Sequence, residues 1–148
     1  MSEKSILLSM NVALTKELRY VVSDLTDSQV TFSAPVLDAR SILDVAIHVH
    51  RPVLAATAIV TGREWPVRPP WPSDHAALQC LLNQMSEQIN DWLLGVDDEV
   101  LAMPVELRWG KFETGSEAIV NSLVHGFVHV GAIRGIRAIG GFPVPPEA

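Results

Sequence analysis

The sequence has few of the residues on which disulfide-stabilised or nucleic-acid-binding proteins depend. Cys80 is the single cysteine among 148 residues, so no internal disulfide can form, and such cysteine usage suits a reducing cytoplasm. Lys and Arg number 11 against 17 Asp and Glu, and no basic run follows a helix face. This balance argues against a phosphate-tracking surface. We therefore expect a cytoplasmic protein that does not bind nucleic acid.

Long uninterrupted apolar runs are also scarce. Ser9 and Asn11 interrupt the apolar stretch at residues 6–14, which continues in helical register towards residue 25. This stretch is predicted to be a helix of the mature fold and not a leader peptide. The next apolar stretch, residues 45–60, contains two histidines, an arginine and a proline and falls short of a membrane span. We expect a soluble chain without a membrane segment.

What the sequence does contain is enough apolar material for one core. Hydrophobic residues make up 48% of the chain and charged residues 19%, which predicts a folded globular protein. The length matches a single domain over residues 1–148, and no internal repeat is present. Cys80 lies in an apolar helical stretch without a basic neighbour in sequence, so we predict a buried, unreactive thiol.

Apolar positions recur at spacings of three and four in four segments, which predicts four amphipathic helices. They cover about residues 5–24, 41–60, 74–95 and 114–139. Ser41 and Asp44 have the spacing of a capping box at the start of the second helix. Thr61-Gly62 is predicted to end that helix, and Gly140-Gly141 the last one. The expected fold class is an all-α four-helix bundle.

Prolines concentrate between the second and third predicted helices. Residues 63–72 hold four of the ten prolines together with Trp65 and Trp71, which predicts a long, semi-rigid loop. A shorter connection is predicted around residues 27–38. Residues 105–109 alternate between apolar and polar side chains before Gly110, which is compatible with a brief extended arm or hairpin.

The last predicted helix carries two histidines in an HxxxH pair, His125 and His129. Residues four apart lie on the same face of a helix with Cβ atoms about 5–6 Å apart, so both imidazoles could reach one metal ion. The small residues Ser122 and Ala132 on the same stripe leave space beside them. The alternative is an accidental pair that hydrogen-bonds to backbone or solvent. A metal site needs a third ligand from another helix.

The second predicted helix offers two candidates for that ligand, His48 and His50. Two residues apart on a helix, they point about 200° away from each other, so only one can face the bundle centre. Both lie on apolar stripes, and periodicity alone does not choose between them. His75, beside the cap of the third helix, is predicted to be a surface or helix-terminus residue.

Two sequence patterns resemble the signatures of DinB/YfiT-like proteins. The stretch from Ser41 to His48 is similar to their second-helix pattern, with a capped start and an acidic residue four before the histidine. The run His125-x-x-x-His129-x-Gly131, followed by Arg134, Arg137, Gly140 and Pro143, is similar to their last-helix pattern. The resemblance covers essentially the whole chain and includes the order of the helices.

The resemblance implies a bundle that holds one divalent ion, typically zinc or nickel. It assigns the ligand role to His48, His125 and His129, and it implies a homodimer. Many relatives have Gln after the glycine where this chain has Ala132, and the pattern does not require His50. These departures leave the ligands intact and bear on the substrate.

The chemistry implied by the resemblance has three alternatives. The best-understood family members use the metal to activate a low-molecular-weight thiol, such as bacillithiol or mycothiol, for attack on a small electrophile. The second alternative is metal-dependent hydrolysis. A ligand-binding bundle for stress response, without turnover, is the third. In each case a small molecule is the expected partner.

Several residues near these motifs have a structural and a functional interpretation. Asp44 could hydrogen-bond a ligating histidine, but we favour the capping role. Pro52 frees the carbonyl of His48 and could widen the site by bending the helix, or could serve packing alone. The remaining candidates are Trp65, Trp71 and Trp109, which could line a pocket or seal a small core, and Arg134 and Arg137, for which we favour a structural role at the helix end.

Overall fold

The computed structural model describes residues 2–35 and 40–145 of the chain. The end of the predicted first connection, including Asp38, lies outside these residues. The described part consists of helices and one small sheet. The elements are α1 (Glu3–Val22), α2 (Asp27–Val30), α3 (Ile42–Val60), α4 (His75–Gly95), α5 (Asp98–Leu101), β1 (Val105–Leu107), β2 (Gly110–Phe112) and α6 (Gly115–Gly140).

The four predicted helices are present as α1, α3, α4 and α6. Their ends follow the predicted capping signals. The Ser41 hydroxyl accepts a hydrogen bond from the Asp44 N–H at 3.0 Å, and the Asp44 carboxylate accepts one from the Ser41 N–H at 3.3 Å. Gly62 and Gly141 follow α3 and α6 with φ of +80° and +71°, a conformation that favours glycine. The predicted four-helix bundle is confirmed.

Two short helices were missed in the sequence. Helix α2 has a complete capping box, since Thr26 accepts from the Gln29 N–H and the Gln29 side chain accepts from the Thr26 N–H. That Thr-x-x-Gln spacing was the available signal, but four residues are too few for apolar periodicity to register. Helix α5 has no side-chain cap. The hairpin alternative for residues 105–109 is the one observed, because β1 pairs antiparallel with β2.

Cys80 is exposed, and the prediction of a buried thiol is wrong. Residues of α4 that face the bundle are Leu78, Leu82, Met85, Ile89 and Leu93. Cys80 lies between the first two of these positions, on the outer side of the helix. Apolar neighbours in sequence indicated burial, but the direction of a helical side chain depends on its position around the axis.

Helices α3 and α6 lie antiparallel and in close contact at two glycines. A Cβ atom on Gly115 would come within 2.6 Å of Val60 Cγ1, and a Cβ on Gly126 would come within 2.9 Å of the Val49 carbonyl oxygen. The two contacts are separated by the same number of residues on each helix. This register places His48 level with residue 127, midway between His125 and His129.

Within residues 2–35 and 40–145, two helices are long and apolar enough to span a membrane by length and composition alone, α3 and α6. In α3, 67% of the apolar window is buried inside the fold, as expected of a core helix, while in α6 the buried share is 33%.

Exposed apolar residues on α6 include Val124 and Val128. On α1, Ile6 and Val12 are exposed as well. Such faces are compatible with the homodimer expected from the sequence, which stays a prediction.

Replacing Gly126 with alanine is expected to lower the free energy of unfolding by about 1–3 kcal/mol, because the added methyl group would meet the Val49 backbone and Leu14. The matched control is Gly135→Ala on the same helix, where an added Cβ would have no atom of another described element within 4 Å. Alanine should raise the free energy of unfolding there by about 0.5–1 kcal/mol. Urea denaturation followed by circular dichroism measures both. Equal effects would show that α3 and α6 are not in tight contact.

Candidate metal centre

His48 is held by the backbone of its own helix. Its Nδ1 lies 3.0 Å from the Asp44 carbonyl oxygen, and because a carbonyl only accepts, Nδ1 donates. In the neutral imidazole this leaves Nε2 without a proton and able to bind a metal ion. The Asp44 carboxylate is occupied in the capping box. Asp44 therefore caps the helix with its side chain and orients His48 with its backbone.

His125 and His129 converge one turn apart on α6, as their spacing predicted. Their Nε2 atoms lie 2.9 Å apart, and their ring centroids are separated by 4.4 Å. His125 is exposed and His129 is half-buried. The ring centroid of His48 lies 6.3 Å from that of His129. The three predicted ligands thus belong to one side of the α3–α6 contact.

The separations of these rings can be compared with those of a metal site. Three imidazoles bound to one tetrahedral zinc ion at about 2.0–2.1 Å per bond would have ring centroids about 5 Å apart. The observed 4.4 Å and 6.3 Å lie on either side of that value. Within the described residues, no three His, Cys, Asp or Glu side chains are already assembled to hold an ion. Side-chain rotations that move the rings by about 1 Å would bring each of these two pairs to the separation expected around a shared ion.

A cavity of about 320 Å³ opens directly beside His125. The other residues that line it are Pro52, Trp109, Asn121 and Ser122. Pro52 comes from α3, and Trp109 from the turn between β1 and β2. The Ser122 hydroxyl donates to the Ala118 carbonyl at 3.1 Å, which leaves it to act as an acceptor. Ser122 therefore contributes to the space predicted beside the histidines, whereas Ala132 does not line this cavity.

His50 points away from this centre, into the contact between α1, α3 and α4. It is fully buried, and its Nε2 lies 3.0 Å from the Thr15 hydroxyl. Thr15 donates its single proton to the Asn11 carbonyl at 2.8 Å, so the His50 Nε2 donates to Thr15. Ser86 lies 2.7 Å from the same hydroxyl. His50 is thus part of a buried hydrogen-bond network between helices.

The surroundings of His50 disfavour its charged form. Burial and the charge of Arg19 lower the pKa of His50 from 6.5 to about 4. Its Nδ1 has no hydrogen-bond partner among the described residues. Leaving the unprotonated nitrogen of a neutral imidazole without a hydrogen bond costs less free energy than leaving an N–H of the charged ring without one. The buried histidine is therefore neutral near pH 7.

The other residues with open interpretations have structural contacts. His75 begins α4 and its Nε2 donates to the Val22 carbonyl at 2.8 Å, which agrees with the prediction of a helix-terminus residue. Arg137 is buried and pairs with Asp24 at 2.8 Å, and this hydrogen bond lowers the pKa of Asp24. Arg134 pairs with Glu17 at 2.9 Å on the surface. Both arginines connect α6 to α1 or the segment after it.

The three loop tryptophans have different surroundings. Trp65 and Trp109 contact each other edge to face, with ring centroids 5.7 Å apart. Trp109 lines the cavity beside His125, while Trp65 lines a second cavity beneath the Pro-rich loop. Arg68 lies over Trp71 at 5.0 Å. The sequence left each tryptophan with two interpretations, a pocket wall or a seal over a small core, and only the fold separates them.

The fold is shared with two solved structures from Bacillus subtilis. The DinB-like protein YjoA has a TM-score of 0.74 at 13% sequence identity, over 95% of this chain and 96% of that protein. YfiT, described as a probable metal-dependent hydrolase with an unusual four-helix bundle topology, has a TM-score of 0.70 at 16% identity, over 97% of this chain and 91% of that protein. No protein-family model and no curated protein matches the sequence. The predicted DinB/YfiT-like bundle is confirmed as a fold.

Substituting His50 is expected to reduce the sensitivity of the fold to acid. Between pH 6.5 and about pH 4 the unfolded chain binds a proton at this residue that the folded protein does not, so stability falls as the pH falls through this window. The loss at the lower end is on the order of 3 kcal/mol. His50→Gln removes this contribution, and urea denaturation at a series of pH values, with chelator present, measures it.

The matched control is His125→Gln, which changes an exposed histidine and should leave the slope caused by His50 in place. If wild type and His50→Gln lose stability equally between these pH values, His50 takes up its proton without unfolding the chain.

Proposed function

We propose that this chain, which has the fold of the DinB-like proteins, binds one divalent metal ion through His48, His125 and His129. The observation that carries the proposal is the convergence of His125 and His129, whose Nε2 atoms lie 2.9 Å apart beside a cavity of about 320 Å³. His48 on the facing helix is the third ligand we propose, because its Nε2 carries no proton when Nδ1 donates to the Asp44 carbonyl. Zinc and nickel are the ions that suit three imidazoles.

The chemistry proposed for this centre is that of a metal-dependent enzyme. If a divalent ion is held by these three neutral imidazoles, it would supply a positive charge that lowers the pKa of a water or thiol bound beside them. The residues of the cavity bind and orient the substrate. Trp109 and Pro52 supply an apolar wall, and the Asn121 amide offers a donor and an acceptor.

The reaction we propose is transfer of a low-molecular-weight thiol to a small electrophile. The thiol loses its proton to solvent, its sulfur forms a bond to an electrophilic carbon, and the leaving group departs with the bonding electron pair. Soft thiolates pair well with zinc and nickel. The cavity beside His125 has the volume of a site for a small organic molecule.

Metal-dependent hydrolysis is the second candidate. It is favoured by YfiT, whose description as a probable metal-dependent hydrolase goes with the same fold at 16% identity. Water in place of a thiol would then attack an ester or amide bound in the cavity. A bundle that binds metal or a small ligand without turnover is the outcome if neither reaction occurs.

Protein purified without chelator is expected to contain about one zinc or nickel ion per chain, as measured by elemental analysis. His129→Ala and His48→Ala should each weaken metal affinity by more than about 100-fold. Loss of a residue that only hydrogen-bonds to a ligand weakens metal affinity by up to about 100-fold, and loss of the ligand itself should weaken it more. Equilibrium dialysis measures the affinity, and circular dichroism should show that the helices remain.

His50→Gln is the control for the metal experiment, since His50 faces the opposite side of α3 and should leave metal affinity unchanged. Loss of the metal from His50→Gln, with retention in His48→Ala, would show that the ligand assignment is wrong. Unfolding of both ligand variants would indicate a structural metal.

The metal-loaded protein is expected to accelerate conjugation of bacillithiol, mycothiol or glutathione with a halobimane, and His129→Ala should abolish the acceleration. Trp109→Ala should raise KM without abolishing metal binding, because it removes the cavity wall and no ligand. Fluorescence of the bimane product measures the rate. Hydrolysis of esters or amides without thiol transfer would favour the second candidate.

A further inference from the structure

A second cavity, of about 180 Å³, lies beneath the Pro-rich loop between α3 and α4. Its loop wall contains Trp65 and Pro66, and its helical wall contains Leu54 of α3 and Leu81 of α4. Adjacent residues of α3 line the two cavities, Arg51 this one and Pro52 the one beside His125. The Trp65–Trp109 pair likewise lies between them.

Among the described residues that line this cavity, Arg51 is the one with a charged side chain. It is half-buried, and among the described residues none forms a hydrogen bond or ion pair with it. Burial is the main cause that lowers the pKa of Arg51, and the like charge of the Arg68 guanidinium is the second. A partly buried guanidinium without a partner is unusual, since buried charges in proteins are normally paired.

The remaining polar groups of the cavity are neutral amides. Gln84 and Gln88 lie one turn apart on α4, and none of the described residues that line the cavity is acidic. The amide N–H groups and the guanidinium can all donate hydrogen bonds to a ligand in the cavity. A guanidinium can form two parallel hydrogen bonds with a carboxylate. The site therefore has the chemistry of an anion acceptor.

Size and polarity of the walls restrict the anion further. The cavity is smaller than the sites of drug-sized ligands, which start at about 300 Å³. Its exposed lining is more apolar than polar, with leucine, tryptophan, proline and methionine side chains around the amides. A free inorganic anion would leave these apolar surfaces in contact with water. An anion with a short apolar body would cover them.

We propose that this cavity is a ligand site for a small organic carboxylate, whose charged group pairs with Arg51 and whose ring or short alkyl chain packs between Trp65 and Leu54. The site is separate from the histidine centre and uses none of its residues. It therefore stands whether or not the chain binds a metal.

Benzoate is the probe, and benzamide is its neutral counterpart of the same shape. In nitrogen-15 NMR titrations, benzoate is expected to shift the Trp65 indole and Arg51 guanidinium signals saturably, with a Kd on the order of 1 mM. Benzamide should bind at least about tenfold more weakly, because it cannot form the ion pair. Arg51→Gln should weaken benzoate binding by at least about tenfold for the same reason.

Two control variants define the site. Arg134→Gln removes the same charge from a surface ion pair with Glu17 and should leave benzoate binding unchanged. His129→Ala should also retain it, which separates the cavity from carboxylate binding at a metal. Arg51→Met serves as a second variant if Arg51→Gln does not fold. Equal binding of benzoate and benzamide, equal affinity in the Arg51 variants, or loss of binding in His129→Ala alone would each overturn the proposal, as would the absence of saturation up to about 50 mM.

Discussion

The close contact between α3 and α6 at Gly126 is the constraint on which the histidine centre depends. A side chain at this position would meet the Val49 carbonyl, so only glycine permits the observed distance between the two helices. Val49 directly follows His48, and Gly126 directly follows His125. On each helix, the residue at this contact is therefore the neighbour of a candidate ligand. A greater distance between the two helices would move the imidazoles apart.

Helix α3 serves three environments at once, because consecutive turns present side chains around its whole circumference. His48 faces α6 and the candidate metal centre, His50 joins a buried network with Thr15 and Ser86, and Arg51 lines the cavity towards α4. A helix surrounded on most sides is apolar almost throughout, which is why its polar residues stand out. Each of these polar residues has a different role although they lie within four positions.

Local signals predicted most of the bundle. The capping box of Ser41 and Asp44 and the glycine after α6 identify helix ends because the interactions involved lie within a few residues. Helix α2 was missed because its four residues contain less than two turns of periodic pattern. Cys80 was placed in the core wrongly because apolar neighbours along the chain do not show which side of the helix a residue occupies.

The sequence by itself determined the four helices and the HxxxH geometry of His125 and His129, because one helical turn brings residues four apart onto one face. It could not choose between His48 and His50 from periodicity, since both lie on apolar stripes. Only the tertiary structure places His50 against Thr15 and His48 towards His129. It also shows that Arg51 forms no hydrogen bond or ion pair with another described residue. These distances depend on how far apart helices distant in sequence come to lie, which side-chain packing at the helix contacts sets.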